Sequence, residues 1–558
     1  INNKMKWRII FLIVVFSFLY SALFFHVYQI QFEKGLYYLT KAAFQKKASG
    51  VLEAERGNIY FIDKNNNLIQ AALNKEFAVI YAVPEEIHKE IKNGNANVFL
   101  KEMSEKLSLI VKASPEEIEK KISKKNDSYE LLIQKADAET VNNVKKLNLK
   151  GIYVDYRPFR YYPFGKLASH LLGFVTATEE AMAGRYGVEL AFDKILAGET
   201  GELKNNDLIK PKNGKNLILT IDRNIQAEAE EILAELIKKH DAKSGTVIVE
   251  EPSSGKILAM ASYPNFDPNN YSEYEIKSFL NPAVQAVYEP GSIFKVITMA
   301  AGIDSGKITP ETTYNDSGSI SLNSKTIRNW DLKAHGIQTM TGVIEQSINT
   351  GAIFAQQKMG PDIFYNYLTK FGFNELTSID LPGEVKGNIS NLKKGKEIDF
   401  ATVSFGQGVA VTPVSLINAV SVIANGGVLM RPFVLTDEQP KEIRRVISSE
   451  TARKVVQMMT SAVEKNVVAV IPNYSVAGKT GTAFIPNFGG NGYSDKVINS
   501  YVGFAPASNP KFIVLVKLDE PSGSPLAGQT VVPAFQKLAS FILNYYNIPP
   551  DKLIVNHQ

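Results

Sequence analysis

The 558-residue chain contains no cysteine, only two tryptophans and only six histidines. Without cysteine, thiol catalysis and cysteine metal sites are excluded, and no disulfide can form. None of the histidines belongs to a His-Glu-x-x-His helix or a Gly-x-Ser-x-Gly elbow, and the chain has no P-loop and no dinucleotide fingerprint. The net charge of +5 is small for this length. It therefore gives no reason to expect a nucleic-acid partner.

One long segment, residues 9–30, contains no Asp, Glu, Lys or Arg. As a helix, a run of this length can cross the hydrocarbon core of a bilayer. Lys4, Lys6 and Arg8 precede it, which predicts that residues 1–8 are a short cytoplasmic segment. A cleaved signal peptide is the alternative, but its apolar region would be shorter. We expect an uncleaved transmembrane anchor, with the rest of the chain outside the membrane.

The rest of the chain has the composition of a folded protein, with 45% hydrophobic and 21% charged residues overall. A polar stretch with Pro and Gly at residues 210–214 marks a boundary. We therefore predict an N-terminal domain over residues 31–212 and a second domain over residues 213–558. Strand patterns occur at both ends of the second domain, and helical patterns lie between them. This order predicts a sheet made from both chain ends of the domain, with helices packed on it.

The most informative motif is Ser-x-x-Lys at Ser292 and Lys295. The motif occurs three more times, but only this copy follows Pro-Gly and begins a long helical pattern, at residues 292–305. Positions i and i+3 share a face of a helix, so Lys295 is expected to stand beside Ser292. A neutral amine there can take the proton of the serine and make it a nucleophile, provided that its pKa is lowered. For the motif taken alone, a helix-capping serine is the alternative.

Two further motifs follow in order. Ser-x-Asn at Ser347 and Asn349 lies 55 positions after Ser292, in a helical pattern at residues 341–359. Lys-Thr-Gly begins at Lys479, 130 positions after Asn349, and occurs once. The ordered set Ser-x-x-Lys, Ser-x-Asn and Lys-Thr-Gly is the signature of penicillin-binding proteins and serine β-lactamases. The joint pattern therefore predicts an acyl-transfer site.

Acyl transfer also needs a proton path to the leaving group and a site for the oxyanion. Ser347 is the expected proton relay. Asn349 is expected to hold Lys295 and the substrate amide by hydrogen bonds, with a polar residue on a helix surface as the alternative. The expected oxyanion donors are the backbone N–H groups of Ser292 and Thr482.

The Lys-Thr-Gly-Thr segment is predicted to be a strand. Side chains alternate along a strand, so Thr480 and Thr482 share one side, where their hydroxyls can bind a carboxylate. Gly481 allows a substrate backbone to lie close against the strand. Lys479 adds positive charge for an anionic substrate and can bond Ser347. A solvated edge strand without a catalytic role is the alternative.

Nearly the whole chain after the anchor resembles class B penicillin-binding proteins. The resemblance is carried by residues 56–59, 160–173, 184–201, 288–295, 404–408, 412–413 and 501–506. It implies an α+β fold, in which a penicillin-binding/serine β-lactamase-like transpeptidase domain has an antiparallel sheet with helices on both faces. It also implies an elongated N-terminal pedestal of the dimerisation type, preceded by one transmembrane helix. No metal and no cofactor is implied.

The resemblance further implies a peptidoglycan D,D-transpeptidase of the bacterial plasma membrane, with its catalytic domain in the periplasm. Ser292 would attack the penultimate D-Ala of a stem peptide, and β-lactams would acylate the same serine. The partners implied are peptidoglycan stem peptides, a membrane glycan polymerase of the FtsW type and other division proteins. The compact catalytic domain and the Ala-Pro-Ala at residues 505–507 are more similar to the division (FtsI) branch than to the rod-elongation branch.

Several alternatives remain open at this point. A rod-elongation transpeptidase and a D,D-carboxypeptidase would use the same three motifs. A serine β-lactamase would also use them, but it has no obvious use for a pedestal and an anchor. A catalytically idle scaffold or a β-lactam sensor that only binds penicillins is the alternative from a different class.

Overall fold

The computed structural model describes residues 3–28, 51–52, 54–91, 95–177, 182–204, 207–487, 490, 492–523 and 526–552. These residues form two compact units. The smaller unit lies within residues 1–57, 177–183 and 192–216, and the larger unit lies within residues 58–176, 184–191 and 217–558. The predicted domain boundaries, 31–212 and 213–558, stay predictions.

The helices are named here in chain order. They are α1 (Asn3–Tyr28), α2 (Pro84–Glu90), α3 (Ala96–Val111), α4 (Pro115–Ile122), α5 (Ala138–Leu147), α6 (Ser169–Leu172), α7 (Gly187–Ala191), α8 (Asp193–Ala197), α9 (Arg223–His240), α10 (Pro282–Gln285), α11 (Phe294–Asp304), α12 (Met340–Glu345), α13 (Asn349–Met359), α14 (Pro361–Lys370), α15 (Glu397–Val403), α16 (Pro413–Ala424), α17 (Ser449–Asn466) and α18 (Ala527–Tyr545). Short 3₁₀ helices cover Pro268–Glu273, Ile276–Phe279, Gly291–Ile293 and Ser390–Lys394.

The strands are named in the same way. They are β1 (Val51–Leu52), β2 (Ile59–Ile62), β3 (Leu68–Ala82), β4 (Glu130–Ala136), β5 (Ile152–Tyr161), β6 (Phe174–Ala177), β7 (Met182–Arg185), β8 (Gly201–Lys204), β9 (Asp207–Ile209), β10 (Leu217–Asp222), β11 (Ser244–Glu251), β12 (Lys256–Tyr263), β13 (Thr313–Asp316), β14 (Ser319–Leu322), β15 (Lys325–Arg328), β16 (Gly336–Thr339), β17 (Val428–Met430), β18 (Glu442–Arg445), β19 (Ala477–Pro486), β20 (Tyr493–Ala505) and β21 (Phe512–Asp519).

The N-terminal helix α1 covers most of the segment predicted to be a membrane anchor, residues 9–30. The helix ends at Tyr28, and residues 29–30 lie outside the described part of the chain. Among the described residues, no helix combines the length and the apolar composition that crossing a bilayer requires. The transmembrane role of residues 9–30 stays a prediction.

In the smaller unit, β1, β8 and β9 form an antiparallel sheet in that order. The guanidinium of Arg56 pairs with the carboxylate of Asp193 at 2.6 Å in the same unit.

In the N-terminal part of the larger unit, β10, β2, β3 and β4 form one sheet, and β5 pairs with β3 in antiparallel register. Helices α3 and α4 bury an apolar face that includes Leu107 and Ile118. Helix α4 begins at a capping box, in which the Ser114 side chain and the Glu117 side chain each bond the other residue's backbone N–H. Such a box satisfies two of the N–H groups that every helix start leaves without an intrahelical acceptor.

The central sheet of the larger unit has five antiparallel strands in the order β12-β11-β21-β20-β19. Two of its inner strands, β11 and β21, are buried along almost their whole length, as expected for strands covered on both faces. Val247 and Val249 belong to a core with residues of α9 and α18, whereas Glu250, on the opposite face, interacts with Ser421 of α16. The antiparallel sheet made from both chain ends, with helices on both faces, is therefore confirmed. Strand β19, which carries the Lys-Thr-Gly motif, lies at one edge.

Candidate active site

The Ser292 motif lies on a tight turn beside the edge strand β19. Ser292 is in the 3₁₀ helix Gly291–Ile293, and α11 begins two residues later. Gly291 has a φ of +57°, and a Cβ at this position would lie 2.7 Å from the carbonyl oxygen of Thr482. Only glycine fits so close to the strand in this conformation. The turn therefore places Ser292 next to the backbone of Thr482. The backbone N–H groups of these two residues are the expected oxyanion donors.

The three motifs converge on the hydroxyl of Ser347. The Nζ atom of Lys295 donates hydrogen bonds to the carbonyl oxygen of Ser347 at 2.5 Å and to its Oγ at 3.2 Å. The Nζ atom of Lys479 donates to the same Oγ at 3.0 Å. Ser347 thus connects a lysine of the first motif with a lysine of the third. The predicted contact between Lys479 and Ser347 is present.

Both lysines are buried, which changes their protonation. Lys295 is fully buried, and this burial, together with the nearby charge of Lys479, holds the pKa of Lys295 well below its ordinary value. Burial also lowers the pKa of Lys479 to about 7. A lysine with a depressed pKa is partly neutral near pH 7, and only the neutral amine can accept a proton. The site therefore provides an amine that can serve as a base.

Ser347 does not lie inside a helix, and this corrects the single helix predicted over residues 341–359. Helix α12 ends at Glu345, and Ser347 has a φ of +57°, in the left-handed region. The N–H of Ile348 bonds the carbonyl oxygen of Val343 at 3.0 Å, which is the bond of a Schellman helix end. Helix α13 then begins at Asn349. The periodic apolar pattern continues through the break, so the sequence suggested one helix where there are two.

Asn349 is placed differently from the prediction. Its side-chain amide donates to the carbonyl oxygen of Arg328 at 2.9 Å rather than to a group of Lys295. The reason is its position in the first turn of α13, where it lies against the end of β15. Lys295 instead directs both of its hydrogen bonds to Ser347.

The predicted substrate-binding residues lie together on the edge strand β19. Thr480 and Thr482 are half-buried, and the Oγ1 of Thr482 contacts the side chain of Asn499 on β20 at 3.3 Å. A Cβ on Gly481 would lie 2.7 Å from the carbonyl oxygen of Pro290. Gly481 therefore allows the strand to approach the serine turn closely. The roles of these residues toward a substrate stay predictions.

Glu289 is a residue of the site that motif reasoning missed. Its carboxylate accepts hydrogen bonds from the backbone N–H of Gly408 and from the hydroxyl of Tyr493, both at 3.0 Å. It thereby connects the serine turn with the 404–408 segment and with the start of β20. Its position three residues before Ser292 was the one sign in the sequence that it belongs to the site. Its partners could not be predicted, because they are distant in sequence.

Comparison with known families accounts for this arrangement. The model of the penicillin-binding protein transpeptidase domain matches residues 245–539, more than half of the chain. The model of the penicillin-binding protein dimerisation domain matches residues 51–219. The chain belongs to the class B penicillin-binding proteins. The predicted transpeptidase fold with a dimerisation-type N-terminal domain is therefore confirmed, and the family places the chain in peptidoglycan synthesis as a transpeptidase.

Individual relatives agree with this membership. The chain is 31% identical over 510 residues to stage V sporulation protein D of Bacillus subtilis, covering 86% of this chain and 76% of the relative. It is 31% identical over 480 residues to the peptidoglycan D,D-transpeptidase FtsI of Buchnera aphidicola, covering 83% and 82%. Among solved structures, penicillin-binding protein 3 of Mycobacterium tuberculosis in complex with aztreonam has a TM-score of 0.69 at 26% identity, covering 90% of this chain and 98% of that one.

Proposed function

We propose that this class B penicillin-binding protein cross-links peptidoglycan as a D,D-transpeptidase, through a covalent intermediate on Ser292. The observation that carries the proposal is the hydroxyl of Ser347 lying between the amines of Lys295 and Lys479. The first motif then supplies a nucleophile and a base, the second a relay and the third a further amine, as acyl transfer requires.

In the acylation step, the neutral amine of Lys295 takes the proton of Ser292, and the Oγ attacks the carbonyl carbon of the penultimate D-Ala. The backbone N–H groups of Ser292 and Thr482 stabilise the negative charge that develops on the carbonyl oxygen. When the tetrahedral intermediate collapses, the C–N bond breaks, and a proton passes through Ser347 to the amine of the leaving D-Ala. An acyl-enzyme ester remains on Ser292.

The acyl-enzyme is then resolved by the amine of a second stem peptide. That amine attacks the ester carbonyl, loses a proton to the same base and forms the cross-linking amide, while Ser292 recovers its proton. A D,D-carboxypeptidase would transfer the acyl group to water instead. Product analysis with and without an acceptor amine distinguishes the two outcomes.

The edge strand β19 supplies the recognition of the substrate in this proposal. The hydroxyls of Thr480 and Thr482 bind the terminal carboxylate of the D-Ala-D-Ala stem, and the cationic form of Lys479 adds electrostatic attraction. The absence of a side chain at Gly481 lets the strand lie close to the serine turn, which brings the bound substrate near Ser292. β-Lactams carry a carboxylate beside a reactive carbonyl, so they use the same contacts and acylate Ser292.

Penicillin labelling of Ser292→Ala tests the mechanism. We expect the variant to lose all covalent labelling by a fluorescent penicillin, whereas the wild-type chain gains one penicilloyl group in intact-mass analysis. Ser390→Ala is the matched control, because Ser390 begins another Ser-x-x-Lys sequence and lies in a different 3₁₀ helix. We expect full labelling of Ser390→Ala, and labelling retained in Ser292→Ala would reject the assignment.

For the cellular role we propose septal synthesis during cell division, which the similarity to an FtsI protein supports. A sporulation role is the second candidate, because the similarity to a sporulation protein reaches the same identity. Depletion of the protein separates them. A septal enzyme leaves growing cells as filaments, a sporulation enzyme leaves growth normal and spores defective, and a rod-elongation enzyme gives rounded cells.

We further propose that residues 9–30 attach the protein to the plasma membrane, with residues 1–8 in the cytoplasm and the catalytic domain in the periplasm. The support is the uncharged run of 22 residues after Lys4, Lys6 and Arg8. Neither matched domain is a glycan polymerase, so we propose a membrane polymerase of the FtsW type as partner. Fractionation of cells that express the full chain or residues 31–558 tests the anchor, and co-purification with the polymerase tests the partner.

A further inference from the structure

Helix α13, which begins two residues after the relay serine, has a start that its own residues do not cap. The residue at the N-cap position is Ile348, and its side chain cannot accept a hydrogen bond. The Oδ1 atom of Asn329 accepts instead from the backbone N–H of Asn349 at 3.1 Å and from that of Thr350 at 3.2 Å. A residue 20 positions earlier in the sequence thus supplies the cap that the helix lacks.

Asn329 is itself held by a buried carboxylate. Its Nδ2 donates to the Oδ2 of Asp316 at 2.8 Å and to the carbonyl oxygen of Lys333 at 3.0 Å. Asp316 and Asn329 are only 2% and 1% exposed. Asp316 also accepts a hydrogen bond at 2.6 Å from the hydroxyl of Thr350, in the first turn of α13. The carboxylate and the amide therefore fix each other and the helix start together.

The two neighbours of Asn329 hold the same segment from either side. The carbonyl oxygen of Arg328 accepts from the side chain of Asn349 at 2.9 Å. The indole N–H of Trp330 donates to the carbonyl oxygen of Gln346 at 3.1 Å. Residues 328–330, called the 328–330 clamp below, therefore bond the residue before Ser347 and the two residues that begin α13.

Ser347 needs such support because its backbone conformation is unfavourable. A φ of +57° belongs to the region that glycine adopts readily and that a residue with a Cβ adopts only when its surroundings impose it. Glycine at this helix end would relieve the strain but would remove the hydroxyl that both lysines bond. The position must therefore be held by its neighbours.

We propose that the 328–330 clamp, with Asn329 as its central positioning residue and Asp316 behind it, holds the Ser347 hydroxyl between the two catalytic lysines. This inference rests on the proposed serine mechanism and adds to it the residues that keep the relay in place. The clamp acts through Ser347 and needs no contact with the substrate.

The rate of acylation by penicillin tests the clamp in the full chain. Asn329→Ala removes the cap, and we expect its second-order acylation rate constant to fall about a hundredfold, the scale of a misplacement near 1 Å. Trp330→Phe keeps an aromatic ring at a site that is 60% exposed but removes the bond to Gln346. We expect a loss of about fivefold, which one neutral hydrogen bond corresponds to.

Asn281→Ala is the matched control, because Asn281 is another buried asparagine that caps a helix, α10. Its substitution should lower the melting temperature and leave the acylation rate of the folded protein unchanged. Acylation of the wild-type chain at Ser292, in the same measurement, tests the serine mechanism separately.

The pH dependence of acylation separates positioning from general loss of structure. Lys295 donates to two oxygens of Ser347, and these acceptors favour its charged form; the cation that faces it is Lys479 of β19. If the clamp variants displace Ser347, the amine loses its proton more easily, and the acidic limb of the pH–rate profile moves to lower pH. A purely structural role leaves this limb in place.

Wild-type acylation rates and an unmoved acidic limb in Asn329→Ala would overturn the inference while the serine mechanism stands. If Asn329→Ala does not fold, the exposed Trp330→Phe decides by the same two measurements, and wild-type values there would overturn it equally.

Discussion

The pedestal and the active site both bury charged side chains, but only the pedestal pairs them with opposite charges. In the pedestal, the guanidinium of Arg160 on β5 lies 2.7 Å from the carboxylate of Glu189 on α7, and both side chains are at most 3% exposed. The hydroxyl of Tyr162 adds a hydrogen bond to the same carboxylate at 3.2 Å. In the active site, Lys295 and Lys479 are buried together, and the group that connects them is a neutral hydroxyl.

This difference separates buried charges that stabilise the fold from buried charges that take part in the reaction. A buried ion pair satisfies both charges, so its members can stay ionised and hold two elements together. In the active site, burial disfavours the charged form of each amine and lowers the pKa of both lysines, and the nearby charge of Lys479 lowers the pKa of Lys295 further. The active site therefore keeps two buried amines without an opposite charge, and this arrangement yields a neutral amine. Side chains with strongly shifted pKa values occur preferentially at functional sites.

The largest effect is expected from breaking the pedestal pair. Glu189→Gln leaves the charge of Arg160 buried without its partner, and we expect the free energy of unfolding to fall by about 3–5 kcal/mol. Chemical denaturation at pH 7 measures this change. The acylation rate of the molecules that remain folded should be unchanged, because the pair takes no part in the site.

The double variant Arg160→Met/Glu189→Leu is the control for this prediction, since it removes both charges and should recover most of the lost stability. A loss below about 1 kcal/mol in Glu189→Gln would place the pair with ordinary surface ion pairs. The buried pair would then not stabilise the pedestal, and the contrast with the active site would be wrong in that respect.

A single substitution in the active site should have the opposite consequence. Lys295→Met removes the base but fills the buried space with an apolar chain of similar length, so we expect acylation to slow by about a hundredfold or more. The free energy of unfolding should not decrease, because a buried amine is replaced by an apolar group. Penicillin acylation kinetics and denaturation of the same sample measure the two quantities.

Lys307→Met is the matched control, because Lys307 is an exposed lysine just after the end of α11. Neither the acylation rate nor the free energy of unfolding should change in Lys307→Met. An unaltered acylation rate in Lys295→Met would remove Lys295 from the mechanism, and a large loss of stability would show that its amine serves structure after all.

The convergence of the three motifs could be predicted from sequence, whereas the way they are held could not. The order and spacing of the motifs indicated which segments meet, and the strand predicted for the Lys-Thr-Gly-Thr segment is present within β19. Ser347 was placed inside a helix, because an apolar pattern reports which face is buried and carries no sign of a single left-handed residue. The side chain of Asn349 bonds the carbonyl oxygen of Arg328 instead of Lys295, and its predicted role toward a substrate amide stays a prediction.

Contacts between distant segments account for the rest of what was missed. Asn329 caps α13 from 20 positions away, and Glu189 pairs with a residue 29 positions before it. No periodicity connects such residues, since each depends on how a strand and a helix come to lie together. The central sheet was predictable because its strands are long, apolar and bounded by turns.

The last comparison concerns a third way of burying an ionisable group, in which the group stays neutral and its effect on stability is small near pH 5. Glu250 on β11 is fully buried, and burial raises its pKa to about 8, a shift that the nearby hydroxyl of Ser421 opposes only in part. Between about pH 4.5 and 8 the folded protein therefore keeps a proton that the unfolded chain releases. The stability contributed by this group is complete below that range and is lost as the pH rises through it, by up to about 1.4 kcal/mol per pH unit.

Glu250→Gln should remove this slope, so its melting temperature should approach that of the wild type near pH 5 and exceed it increasingly toward pH 8. Thermal unfolding at each pH measures the difference, and Glu231→Gln, at an exposed position of α9, is the control with no such trend. Lys479 acts in the other direction above pH 7, because its lowered pKa lets the folded state lose a proton first. The wild type and Glu250→Gln share the contribution of Lys479 to stability, so it cancels when the two are compared. A constant difference between variant and wild type across this range would mean that Glu250 is ionised in the folded protein, and therefore that a partner neutralises it as in the pedestal.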